Sequence, residues 1–177
     1  MSNFKELEMR ESGPGDLAAI EALYPLAFPD EDLLPIVGDL LSEPAIALSL
    51  VAMADSTLAG HVIFTRCGIT GQDEKSAMLG PLAVSPTLQK QGIGSKLVGK
   101  GFELLKGEGV NRVFVLGDPA YYSRFGFLPD ARVLPPYPMP AEWKDAWQSL
   151  SLLDDDTPIH GKIALPKLWL QPSLWLP

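Results

Sequence analysis

The sequence predicts a mixed α/β fold of the α+β kind, built on a mostly antiparallel sheet, and three observations carry that expectation. Strand-like runs at 46–53 and 58–69 are joined only by Asp55-Ser56, and the second run turns at Gly71-Gln72-Asp73-Glu74 into a third at 77–84. Connections this short join antiparallel neighbours. Apolar residues recur at helical spacing in two places, at Leu17, Ile20, Leu23, Tyr24 and Ala27 and again at Ile93, Leu97, Leu104 and Leu105. Between these segments, Leu79 to Gly94 reads LGPLAVSPTLQKQGIG, an apolar strand followed by a glycine-paired turn that opens the second helix.

Taken in order, Lys5 to Arg10 alternates as an edge strand and ends at Ser12-Gly13-Pro14-Gly15. Asp16 stands where a side chain accepts the free N–H groups of a helix first turn, and Pro29 closes that helix. Asp30-Glu31-Asp32 leads into a second helix, Leu33 to Leu41, which Pro44 ends before the first strand of the hairpin. Pro81 removes a ladder donor inside the 77–84 strand, so a bulge or a break in pairing is expected there. The helix after the glycine turn sets Lys96, Lys100 and Glu103 opposite its apolar face and stops at Gly107; Gly99 and Gly101 weaken it, and close packing is the reading for them. A strand at Val113 to Leu116 follows, and beyond Phe127 the chain stiffens through Pro135-Pro136-Tyr137-Pro138-Met139-Pro140. Past that connector we expect a short helix from Ala141 to Leu150, an acidic loop at Asp154-Asp155-Asp156 and a last strand from Gly161 to Leu165. No internal repeat is visible.

A chain of 177 residues, 46% hydrophobic and 20% charged, fits a single domain over 1–177 with its own core. Its formal net charge of −8 opposes a nucleic-acid partner, because phosphates reward basic surfaces, and it suits a cationic one. Within that acidic chain, residues 86–106 carry Lys90, Lys96, Lys100 and Lys106 against Glu103 alone, an island that an anionic ligand would explain and that an ordinary exposed helix face would explain equally well. Cys67 is the one cysteine, so no intrachain disulfide forms. The start, MSNFKELEMRE, has no apolar signal core, and the longest apolar run, 45–54, is about half of the ~20 residues a membrane helix needs. A cytoplasmic protein with no membrane partner is expected.

The turn Gln89-Lys90-Gln91-Gly92-Ile93-Gly94 clears side chains from two positions at a helix start, where backbone N–H groups and the positive end of the helix dipole can close on a pyrophosphate. The dinucleotide fingerprint wants a third glycine where Leu97 stands, and the P-loop wants Gly-Lys-Ser/Thr where Ser95-Lys96-Leu97 stands, so both are excluded. What remains, Gln-x-x-Gly-x-Gly after Leu82-Ala83-Val84, resembles motif A of the GNAT superfamily of acetyl coenzyme A-dependent N-acetyltransferases. A second match follows, Val113-Phe114-Val115-Leu116 and then DPAYYSRFGF from Asp118 to Phe127, which resembles the family's motif B. The run LGDPAYY is similar to that of an uncharacterised bacterial branch.

The resemblance implies a sheet with one splayed strand pair and helices on both faces. It implies that Leu82, Ala83 and Val84 hold the pantetheine arm in strand fashion, and that Gln89, Lys90, Gln91, Gly92, Ile93, Gly94 and Ser95 hold the phosphates of acetyl coenzyme A. It places Tyr122, in Tyr-x-x-x-Gly-Phe, where relatives carry the general acid, with Tyr121 as the rival. A phenol of ordinary pKa ~10 can donate to a thiolate whose thiol has a pKa near ~8.5 when the site offsets part of the mismatch. The glutamate and asparagine that many relatives use have no counterpart in 113–119, so the base is left open among a water, a backbone carbonyl and a carboxylate from elsewhere; His61 is near the right pKa, but a lone strand histidine reads first as structural. Asp118 reads as a helix cap with Pro119 at the first helical position. Asp30-Glu31-Asp32, in a segment that borders the acceptor pocket of similar proteins, either draws a cationic amine or favours a helix start. Cys67 reads as core. The implied acceptor is a small-molecule or peptide primary amine, with no metal, since one cysteine, two histidines and no calcium-loop spacing make no standard site. No G-x-S-x-G elbow is present. A coenzyme A sensor or interaction domain without turnover is the alternative. The C-terminal segment 129–177, which holds all four tryptophans, is left between covering the acceptor pocket and forming a homodimer seam.

Overall fold

A computed structural model describes residues 4–153 and 157–175, so the acidic loop expected at 154–156 lies outside the described residues. The chain forms two compact units interleaved in sequence, one of residues up to Phe64 with Gly80–Glu103 and one of Thr65–Leu79 with everything from Leu104 onward.

In the first unit, β1 (Leu7–Glu11) pairs antiparallel with β2 (Ala47–Ala54), from Leu7 opposite Ala54 to Glu11 opposite Leu50. Asp55 and Ser56 both take left-handed φ, 49° and 69°, which makes the tight turn into β3 (Thr57–Ile69). The Asp55 carboxylate accepts the Lys5 and Glu6 N–H groups at 2.8–3.1 Å and ties the chain start to that turn. α1 (Leu17–Ala27) and α2 (Leu34–Leu41) bury Ile20, Leu23, Tyr24, Ile36, Val37 and Leu40. The expected side-chain cap at α1 is not made. Asp16 occupies the cap position, but its carboxylate turns to the Arg10 guanidinium at 2.8 and 2.9 Å and to the Gly13 N–H at 2.7 Å. Two parallel bonds to a cationic guanidinium favour this orientation over a single bond to a first-turn N–H, and they hold the Asp16 pKa down near 2.

The end of β4 (Ser76–Val84) and most of α3 (Ile93–Gly107) complete this unit. Ile93, Leu97 and Val98 are buried on α3 while Lys96 is exposed, as the periodicity requires. Gly101 has the packing reason the sequence suggested, since a methyl group there would overlap the Phe64 ring. Gly99 faces open space and has none.

In the second unit, β4 pairs parallel with β5 (Arg112–Leu116) from Ser76 opposite Arg112 to Leu79 opposite Val115. That ladder stops immediately before Gly80-Pro81, whose peptide bond is cis, and the break falls where Pro81 was expected to force one. α4 (Pro119–Tyr122) follows β5, and then come β6 (Leu128–Pro129), β7 (Val133–Leu134), β8 (Trp147–Ser151) and β9 (Gly161–Ala164). β8 lies antiparallel between β5 and β6, while β9 runs antiparallel to β3 at Gly68 and Ile69 and parallel to β7. The mixed α/β, mostly antiparallel expectation holds.

The helix expected over Ala141–Leu150 is not formed. Ala141–Trp143 makes one 3-10 turn and Trp147–Ser151 is a strand, because its backbone pairs with all of β5, from Leu116 opposite Trp147 to Arg112 opposite Ser151. The spacing of Trp143, Trp147 and Leu150 suits a helix, and the ladder overrides it. Three of the four tryptophans go into the core. Trp147 stacks on Phe114 at 5.4 Å and meets Trp175 edge-on at 5.9 Å, and Trp175 meets Trp169 at 6.3 Å. Each indole N–H is satisfied, by the Val133 carbonyl, the Thr65 hydroxyl and the Trp169 carbonyl.

Candidate functional site

The first unit holds every residue of the expected cradle. A 3-10 turn, Pro86–Leu88, leads from β4 into an exposed loop in which Lys90 and Gly92 take left-handed φ of 64° and 83°. Lysine rarely sits there, at a cost of roughly 1–2 kcal/mol, so this backbone shape is specified by more than local preference. A Cβ on Gly92 would meet nothing within 4 Å, which leaves the loop surface open to a ligand. The Gln89 amide donates to the Val84 carbonyl at 3.3 Å and closes the loop onto the strand end. The backbone ladder of α3 begins with Lys96 N–H to Gly92 carbonyl at 3.0 Å. An α-helix leaves its earliest N–H groups without helical acceptors, so the geometry suits an anion. Leu82 and Val84 are half-buried, Ala83 and Gly94 are buried, and Ser95 is exposed. These features fit a diphosphate at the loop and an extended arm along 82–84.

One contributor escaped the sequence. Gly60 on β3 would, with a Cβ, stand 3.0 Å from Leu97, 3.1 Å from Ile93 and 3.2 Å from the Ala83 carbonyl, so its lack of a side chain lets the start of α3 close on the strand. A glycine inside a strand pattern is the signal that could have found it.

The second unit holds the expected acid. Asp118 caps α4 through the Ala120 N–H at 2.9 Å, with Pro119 first in the helix as expected, and Gly126 ends the following 3-10 turn with φ 97°. The Tyr122 ring is packed by Phe127 at 5.9 Å, Tyr121 at 5.0 Å and Phe125 at 6.2 Å. Burial, with a smaller contribution from Tyr121, pushes the Tyr122 phenol well above its ordinary pKa, so it stays protonated, but the expected offset of the phenol–thiol mismatch is not found: burial widens the mismatch. Tyr121 lies under the Arg124 guanidinium at 4.1 Å; burial raises its pKa, and that cation opposes the shift.

The remaining candidates are spoken for. His61 is fully buried, with Nδ1 2.7 Å from the Tyr24 hydroxyl and Nε2 2.8 Å from the Ser49 hydroxyl, to which Ser12 donates at 2.6 Å. Burial lowers its pKa to about 4 and keeps it neutral. Burial raises Cys67 to about 12, a thiol rather than a nucleophile. Asp30, Glu31 and Asp32 are exposed between α1 and α2. A cleft of about 660 Å³ opens in the second unit beside Arg112, Gly126, Asp130 and Ser149, but Asp130 already accepts from Arg132 and Val133 N–H and from the Ser149 hydroxyl. Among the described residues no three His, Cys, Asp or Glu side chains are placed to hold a metal, and no helix is long and apolar enough to cross a membrane.

The first unit thus has a glycine-opened loop at the start of α3, and the second a half-buried tyrosine on the short helix after β5. Residues 17–127 match the Acetyltransferase (GNAT) family, and the chain belongs to that family. It is 36% identical over 155 residues to the uncharacterised N-acetyltransferase YjhQ of Escherichia coli K12, covering 84% of this chain and 86% of that one. The structure of E. coli YhbS in complex with CoA superimposes with a TM-score of 0.84 at 30% identity, over 93% of this chain and 92% of that one. A GNAT acetyltransferase from Brucella melitensis in complex with acetyl-CoA gives a TM-score of 0.73 at 31% identity, over 92% and 97%. The chain is therefore an N-acetyltransferase of the GNAT kind.

Proposed function

We propose that this protein moves the acetyl group of acetyl-CoA directly to the nitrogen of a primary amine. The observation that carries the reading is the loop 89–95, with left-handed Lys90 and Gly92 opening α3, in a chain whose relatives of known structure hold CoA or acetyl-CoA. Acetyl-CoA supplies an activated acyl group and a thiolate leaving group. The backbone of Gln89–Ser95 binds the diphosphate, and Leu82, Ala83 and Val84 align the pantetheine amides. Tyr122 keeps its proton at neutral pH and gives it to the departing sulfur as the new C–N bond forms and the C–S bond breaks; a cationic amine loses one proton to become the nucleophile and a second as the amide forms, both to solvent or to a base yet to be assigned, and solvent returns a proton to the Tyr122 phenolate. The net charge of −8 favours a cationic acceptor, either a small molecule or a peptide terminus.

The test is thiol release from acetyl-CoA with a panel of primary amines: spermidine, tyramine and a peptide with a free N-terminal alanine. Amine-dependent release is expected. Gly94→Val should abolish it by blocking the cofactor, and Tyr122→Phe should leave acetyl-CoA affinity intact while slowing turnover by ~10²-fold. Binding of acetyl-CoA without release for any amine would reduce the protein to a sensor, and a loss below about tenfold in Tyr122→Phe would remove Tyr122 as the acid.

A further inference from the structure

Gln148 on β8 is fully buried, and its amide is only half used. Its Nε2 donates to the Gly117 carbonyl at 3.0 Å and reaches the Ala146 carbonyl at 3.4 Å. Two acceptors on that side fix the amide orientation, because the flipped amide would set oxygen against oxygen. Oε1 is then left buried with no hydrogen-bond partner. A buried acceptor without a donor weakens a fold, and an apolar side chain of the same length would remove that cost. The bonds donated by Nε2 have to offset that cost, so the reason for a glutamine lies in the carbonyl that it holds.

Gly117 is the residue that leads β5 into α4, and both of its backbone polar groups are taken from the β8 side, the N–H by the Ala146 carbonyl at 2.9 Å and the carbonyl by Gln148. Gly117 is also the floor under Tyr122, since a Cβ placed on it would overlap the Tyr122 ring. Gln148, Gly117 and the Tyr122 ring form one continuous stack of contacts.

We propose that Gln148 is a positioning residue for acetyl transfer: by gripping the Gly117 carbonyl it sets the height of the surface on which the Tyr122 ring rests. This rests on the reading of Tyr122 as the proton donor. The amide never touches the reacting atoms; it acts through Gly117, and displacement of a positioned acid by a fraction of an ångström is costly in rate.

The experiment uses the full chain labelled with 13Cζ-tyrosine and 15N, with the Tyr122 signal assigned by its loss in Tyr122→Phe. In the wild-type protein, one Gln148 side-chain N–H should exchange with solvent much more slowly than a free amide; exchange of both protons at the free rate would overturn the grip. In Gln148→Met the thermal midpoint should stay within a few degrees of that of wild type, because relief of the unpartnered Oε1 is offset by loss of the donor to the Gly117 carbonyl; the Tyr122 13Cζ and Gly117 amide signals should move, and those of Tyr24 and Tyr137 should not. Acetyl-CoA affinity should stay within about twofold while amine-dependent thiol release falls about tenfold. Added to Tyr122→Phe, Gln148→Met should cost nothing further. Unmoved Tyr122 and Gly117 signals, or losses that multiply in the double variant, would overturn the proposal. If Tyr122→Phe alone is harmless, the acid assignment fails, and the tyrosine signals still decide whether Gln148 sets the ring.

Discussion

The turns after β4 and after β5 both depend on glycine, for opposite physical reasons. Gly92 is there for its backbone: φ is 83° and the space where a side chain would stand is empty. Gly117 is there for its missing side chain, because the Tyr122 ring fills that space, and its N–H and carbonyl are each held by a partner near β8. The first turn presents main-chain groups outward, which suits recognition of a charged, sequence-independent group such as a diphosphate. The second fixes one aromatic side chain, which suits chemistry that needs a proton in one place. Under the proposed function, binding and chemistry depend on different turns, and substitutions should separate them.

The largest expected separation comes from Gly117→Val. Its side chain would displace the Tyr122 ring, so amine-dependent thiol release should fall by ~10²-fold or more, with overpacking costing about 1–3 kcal/mol in urea unfolding. Acetyl-CoA affinity by calorimetry should hold. Equal loss of affinity would show that the two turns do not divide the work.

Next in size is an acid effect inside the first unit. His61 is neutral when folded, with a pKa near 4 against 6.5 for a free histidine. Between those values the unfolded chain binds a proton that the folded chain refuses, so stability falls as pH falls from 6.5 to 4, by about 3 kcal/mol in total. Asp16, at about 2 against 3.8, adds its own loss only below that window. Urea unfolding at pH 7 and pH 4 measures this, and His61→Gln should flatten the difference; a wild-type stability unchanged over that range would contradict a neutral buried imidazole.

Gly92→Ala should act in the reverse sense to Gly117→Val. Left-handed φ costs alanine about 1 kcal/mol, and a loop that relaxes away from it should bind acetyl-CoA roughly 5- to 10-fold more weakly with kcat unchanged. A fall in kcat with affinity intact would invert the comparison. Smallest is Gly99→Ala: with open space around it on α3, alanine should raise the unfolding free energy by at most about 1 kcal/mol through helix propensity, without change in activity. A loss of stability there would mean that Gly99 has a packing role after all.

Most elements of the fold were legible because they rest on local signals. The apolar face of α3, the Asp55-Ser56 turn and the cap at Asp118 are written within a few residues of where they act. The break after Leu79 was legible because proline has no N–H to pair. The failures are long-range. β8 looks helical in sequence and becomes a strand because β5, more than 30 residues earlier, offers it a ladder. Asp16 looks like a cap and is drawn off by Arg10 on β1. Gln148 carries no sequence signal at all, being one polar residue after a tryptophan, and its meaning depends on a single carbonyl 31 residues away. The glycine turn that opens α3 is contiguous and so visible in sequence, whereas the support beneath Tyr122 is assembled from separate segments.

The most direct test is thermal unfolding of the purified protein with and without acetyl-CoA. At one hundred times its dissociation constant a ligand that binds only the folded state stabilises by about 2.7 kcal/mol, so the account predicts a rise of several degrees, reduced in Gly92→Ala and retained in Tyr122→Phe. No rise at millimolar acetyl-CoA would contradict it, leaving the family's fold without its cofactor.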